Sequence, residues 1–177
     1  MKYLFIDAET DSLYGKTLSI AAIACDKTGK EENKFYGYID CSIDEIDNAW
    51  VKENVYPYLR IADDVCKSYS CEEELLSDFW TFYKKQGECW CVGDVIYPVE
   101  ANVMRKCVEL KLDERMMEGP FPFLDLSSML YVIGIDPIAE RRCLVDCSDY
   151  RIHNALDDVR MTIDIWKKYF LEDKCNG

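Results

Sequence analysis

Positive charge is scarce in this chain. Its 21 Lys and Arg stand against 34 Asp and Glu, a formal net charge of −13. That excludes a protein whose affinity comes from broad neutralisation of phosphates by basic side chains. It leaves room for a nucleic-acid enzyme in which bound divalent cations supply local positive charge. Long hydrophobic runs are also missing. No apolar run approaches the roughly 20 residues needed to span a bilayer, so no membrane partner is expected. The opening Met1-Lys2-Tyr3-Leu4-Phe5-Ile6-Asp7 turns acidic too early for the apolar core of a secretory leader. A cytoplasmic location is the expectation.

The sequence has no internal repeat, no low-complexity segment and no Pro-, Gly- or Ser-rich linker. A single domain over residues 1–177 follows. Cysteine is not scarce, at ten residues. With no export signal, and with Cys25, Cys91 and Cys107 inside apolar patterns, reduced and largely buried thiols are expected. The pairs Cys89/Cys91, Cys66/Cys71 and Cys143/Cys147 lack the repeated CxxC spacing of structural zinc sites. Histidine occurs once, as His153.

Hydrophobic residues make up 49% of the chain, which marks a globular protein with a substantial core. Residues 2–7, 17–25 and 33–40 have strand character and short connections, predicting a three-stranded antiparallel meander. Residues 43–54 and 71–86 read as helices, and 88–93 as a short buried strand. Residues 98–111 read as a helix with Pro98 near its first turn, where the missing N–H costs nothing. Residues 121–126 form a last strand candidate. Residues 153–171 form a long helix with Ala155, Leu156, Val159, Ile163, Trp166 and Phe170 on one side. The order predicts an α/β fold: a mixed sheet with helices on its faces. The aromatic segments 50–58 and 79–83 suit either core or a dimer surface, so a second copy is a candidate partner.

The chemistry concentrates at three places. In Phe5-Ile6-Asp7-Ala8-Glu9-Thr10-Asp11 an apolar strand ends in three acids spaced two apart. Residues two apart share a strand face, so Asp7 and Glu9 project together at a strand end. Paired carboxylates there suit hard divalent cations. Near the C-terminus, His153 precedes Asn154-Ala155-Leu156-Asp157-Asp158 at a helix start, where the chain can bend the imidazole back toward Asp158. Between them, Asp94 ends a strand and Glu100 sits early in the next helix.

The segments Phe5–Asp11 and His153–Val159 resemble the DEDD exonuclease superfamily, in its histidine branch. Asp7 and Glu9 match that family's first motif, and His153 and Asp158 its third. The resemblance implies a ribonuclease H-like fold and spans nearly the whole chain. The second motif departs from the family pattern. Glu100 fits the position with Glu in place of Asp, whereas Asp94 has the expected residue type but lies early.

The resemblance implies hydrolysis of single-stranded nucleic acid from a 3′ end, with release of nucleoside 5′-monophosphates. Two Mg2+ or Mn2+ ions are the implied cofactors, held by Asp7, Glu9, Asp158 and either Glu100 or Asp94. Asp7 would bridge the ions, and His153 would act as general base. Leu13 would wedge against a terminal base, and Asn154 would contact substrate. Tyr14, Tyr97 and Phe123 are candidates for base stacking. Lys16, Arg151 and Arg160 are candidates for basic help. The expected partners are RNA or DNA 3′ ends, with RNA favoured. The alternative is a ribonuclease H-like binding or scaffold protein with weakened catalysis, motivated by the glutamate at the second motif and the negative charge.

Overall fold

A computed structural model of the chain describes residues 2–60, 64–146, 148 and 150–171. Cys147, one partner of a cysteine pair considered above, lies outside them.

The first three strands pair in chain order. β1 (Tyr3–Thr10) runs antiparallel to β2 (Thr17–Cys25), and β2 antiparallel to β3 (Glu31–Ile39). The expected meander is present, and β1 runs three residues further than its apolar stretch, carrying the acids into the sheet. All nine residues of β2 are buried. A strand covered on both faces does not alternate, which is why Thr17–Cys25 reads as a continuous small-apolar run. β5 (Trp90–Gly93) adds parallel to β1, and β6 (Phe123–Asp125) parallel to β5. β4 (Cys66–Tyr69) adds parallel to β3, completing the order β4-β3-β2-β1-β5-β6. β4 is absent from the sequence expectation. It is a four-residue edge strand in which only Tyr69 is buried, so it carries almost no hydrophobic signal.

Helices cover both faces of the sheet. They are α1 (Ala49–Asn54), α2 (Glu72–Lys85), α3 (Val99–Glu109), α4 (Leu112–Arg115), α5 (Leu126–Val132) and α6 (Ala155–Trp166). One core joins Leu4, Ile6 and Ala8 of β1 to Leu75, Phe79, Val103 and Met104 of α2 and α3. The other joins Phe5 of β1 to Leu126 and Leu130 of α5 and to Leu156, Val159 and Ile163 of α6. The pleat therefore sends even-numbered β1 residues toward α2 and α3, and odd-numbered ones toward α6. Asp7 and Glu9 continue the odd row.

Three expectations need correction. Residues 43–54 are not one helix: a 3-10 turn at Ile43–Glu45 precedes α1, and Asn48 breaks the run by capping α1 through its side chain. α4 and α5 are additional short helices. The last helix starts at Ala155 and ends in a π turn over Lys167–Leu171. In segment 79–83, Phe79 and Trp80 are buried in the core, whereas Trp50 of α1 stands exposed. The described cysteines are free thiols, with Cys25, Cys41, Cys91 and Cys107 buried. Among the described residues no helix is long and apolar enough to cross a membrane.

Candidate metal centre and active site

β1 delivers two carboxylates to the α6 side of the sheet. Its pairing with β2 shifts register between Glu9 and Thr10, a bulge that ends the ladder beside the site. α6 delivers the rest. Asn154 caps the helix, its side-chain oxygen accepting the Asp157 N–H. His153 precedes the cap with φ +61°, a left-handed conformation uncommon for a residue with a Cβ. That turn brings the imidazole back over the first turn of α6. One ligand atom each from Glu9, His153 and Asp158 then lies within 4.8 Å of the others. Among the described residues this is the one group of three such donors, and no cysteine takes part in it.

Asp7 joins Asp158 and His153 in lining a cavity of about 280 Å³, together with Asp94, Arg141, Arg142 and Thr162. A second cavity of about 360 Å³ shares Arg142, Ile152 and His153 with it. Glu100, 5% exposed in the first turn of α3, reaches β1 and accepts the Ala8 N–H at 3.3 Å.

The other nearby acids are already engaged. Arg141 grips Asp94 through two donors, at 2.6 and 2.9 Å, and its guanidinium also bonds the Ala139 and Pro137 carbonyls. Asp157 is buried between Arg151, at 2.6 Å, and Arg160, at 3.0 Å. Asp125 accepts the Ile96 N–H and caps α5. Among the described residues no cation pairs with Asp7, Glu9, Glu100 or Asp158. Burial, then the charges of Asp158, Glu100, Glu9 and Asp94, holds Asp7 well above the usual carboxylate range. Burial, then Asp158 and Glu100, pushes Glu9 up to about 8. Burial likewise pushes Glu100 to about 8, against the pull of its own N–H and that of Ala8. Asp158 rises to about 7, again chiefly through burial, although the His153 backbone N–H opposes the rise. His153 itself falls below its usual value, first through burial and then through the charge of Arg142.

This donor set fits divalent cations. It offers several oxygen ligands and one nitrogen, partly or fully buried, and among the described residues no cation forms an ion pair with its carboxylates. Among the described residues the Glu100 carboxylate has no cation partner, whereas that of Asp94 is paired with Arg141.

The remaining candidates divide clearly. Leu13, Tyr14 and Tyr97 are 60%, 63% and 72% exposed. The Tyr14 and Tyr97 hydroxyls meet at 3.0 Å, with their rings edge to face. Phe123 packs against the core. Asn154 is not available to a substrate, contrary to expectation. It is 1% exposed, and its amide nitrogen donates to the Tyr58 carbonyl at 2.7 Å. Its side chain is spent on capping and on tying α6 to the loop after α1. Arg151 and Arg160 serve Asp157, and Lys16 is exposed, with its charge felt at Cys41 and Glu45. Sequence reading missed Arg142, an exposed cation that lines both cavities and makes no ion pair among the described residues. The signal was there: Arg141-Arg142 is a paired basic step in an acidic chain.

The architecture is the ribonuclease H-like α/β fold of known exonucleases. Zinc-bound E. coli Exonuclease I in complex with single-stranded DNA aligns with a TM-score of 0.63 and 14% identity, covering 94% of this chain and 39% of that one. Exonuclease I from Methylocaldum szegediense aligns with a TM-score of 0.61 and 16% identity, covering 97% of this chain and 41% of that one. This chain thus spans about two-fifths of the length of these solved relatives in fold. No family model matches the sequence, and no curated protein matches it.

Proposed function

We propose that this chain is a divalent-metal-dependent 3′–5′ exonuclease of the DEDD type, histidine branch, acting as a single domain on single-stranded nucleic acid. The observation that carries the reading is the convergence of Glu9, His153 and Asp158 within 4.8 Å, next to Asp7 and Glu100, with no ion-paired cation on these carboxylates among the described residues. Asp7, Glu9, Glu100 and Asp158 would hold the cations, two Mg2+ or Mn2+ ions being the proposed complement. Bound there, such ions activate water and stabilise the charge on the attacking and leaving oxygens of a phosphodiester.

The chain's own groups supply the rest. His153, with its pKa below the usual range, is neutral at pH 7 and free to accept the proton of the attacking water. Arg142 offers a charged, forked donor to the phosphate at the mouth of the cavity. Leu13, Tyr14 and Tyr97 present apolar surface on which a terminal base can stack without regard to its identity. A site that grips only the last nucleotides does not need a basic groove, which accommodates the net charge of −13. The E. coli Exonuclease I structure named above holds single-stranded DNA, so DNA is the first substrate to assay. RNA, favoured by the family resemblance, is the second.

The binding-protein alternative rests on Glu100 standing where the family has aspartate. It leaves the cluster of strained carboxylates without a purpose. Digestion of 5′-labelled DNA and RNA oligonucleotides with Mg2+, Mn2+ or chelator separates the two readings. A ladder shortening from the 3′ end, only with metal, is expected. Intact oligonucleotides of both kinds under every metal would favour the binding protein.

A further inference from the structure

We infer that Trp50 is a positioning residue for His153, and that Asp11 fixes Trp50 in place. The catalytic part of this claim rests on the exonuclease reading; the placement part does not. His153 lies outside α6 with a left-handed backbone, so the helix does not set the direction of its ring. A functional imidazole is usually oriented by a hydrogen bond to its second nitrogen. Among the described residues His153 has no such bond. What it has is the Trp50 indole, packed against it with ring centroids 4.8 Å apart and planes at 80°. Edge-to-face contact of this kind is directional, because the edge of one ring meets the electron-rich face of the other.

Trp50 is itself held from the strand that carries Glu9. Asp11, the third acid of the opening run, has no place in the metal centre. Its two carboxylate oxygens accept the N–H groups of Asp47, at 2.7 Å, and Asn48, at 2.9 Å. Asn48 then caps α1, accepting from the Trp50 N–H at 2.9 Å and the Val51 N–H at 3.3 Å. Val51 and Val55 anchor the helix in the core. A chain of contacts therefore runs from the end of β1 through Asp11, Asn48 and Trp50 to His153. It ties the imidazole to the end of the strand that carries Glu9. Trp50 is 53% exposed, so its ring is open to solvent on one side.

Because this 177-residue chain has one histidine, its imidazole C–H signals in an NMR spectrum of the chain are unambiguous. The ring current of Trp50 should displace them. Trp50→Ala and Trp50→Leu should both remove that displacement, and Trp50→Phe should retain part of it. In oligonucleotide hydrolysis Trp50→Ala should lower kcat by about 10- to 100-fold with KM within about twofold, and Trp50→Phe should restore most of the rate. Asp11→Ala should reproduce the signal shift in part. Unchanged imidazole signals in Trp50→Ala and Trp50→Leu would overturn the placement. A raised KM at unchanged kcat would overturn the positioning role and make Trp50 a base-stacking surface. If the wild-type protein hydrolyses nothing, the exonuclease reading fails, while the NMR comparison still decides the placement.

Discussion

At the scale of single residues, the site is defined by which carboxylates have partners. Asp94 and Asp157 face arginines; Asp7, Glu9, Glu100 and Asp158 face one another. Asp7→Asn removes one charge from the repelling set while keeping the shape. It should lower metal-dependent hydrolysis by more than roughly 100-fold, since even changes behind a metal ligand cost about 10- to 100-fold. The same substitution should raise the melting temperature of the chelator-treated protein at pH 8, by about 2–4 °C for each kcal/mol of relief. A drop in both stability and activity would argue against an uncompensated charge at Asp7. Glu100 and Asp94 are separable in the same way. Glu100→Gln should abolish activity and leave the metal-free fold intact. Asp94→Ala should destabilise by about 1–3 kcal/mol, because it leaves the half-buried Arg141 without its carboxylate partner, as urea melts would register.

At the scale of elements, the strands and helices that position the site were legible from hydrophobic pattern, periodic or, in β2, continuous. β1, β2, β3, α2, α3 and α6 each carry enough buried residues to show it. β4 and α4 did not show because they are four residues each and bury one side chain apiece. α5 hid behind β6, with Asp125 acting as the last strand residue and the helix cap at once. Asn154 is the instructive case. The family resemblance suggested substrate contact, but helix-capping chemistry takes its side chain. Asn154→Ala should cost about 1–3 kcal/mol in denaturant unfolding, from the lost cap and the orphaned Tyr58 carbonyl. Below the unfolding transition, KM for an oligonucleotide should stay unchanged. A KM increase without loss of stability would return Asn154 to the substrate.

At the scale of the whole molecule, Asp7 and Asp158, 151 positions apart in sequence, share one cavity, and that convergence was legible only through the resemblance of two short motifs. Spacing along the chain said nothing of Arg142 or Trp50, because both reach the site from irregular segments or a six-residue helix. The burial of like charges has a global consequence. Glu9, Glu100 and Asp158 bind protons up to about pH 7–8 when folded, but release them near pH 4 when unfolded. Between these values the folded state holds more protons. Stability of the metal-free protein must therefore fall as pH rises through that window. A cation bound only to the folded state reverses the loss, by about 2.7 kcal/mol at a hundredfold excess over Kd. The most direct test is thermal melting of the full chain from pH 5 to pH 8, in chelator and in Mn2+. The account predicts a melting temperature that declines with pH in chelator and recovers at pH 8 when Mn2+ is added. Melting that is flat with pH and indifferent to Mn2+ would contradict a cation-holding cage at Asp7, Glu9, Glu100 and Asp158.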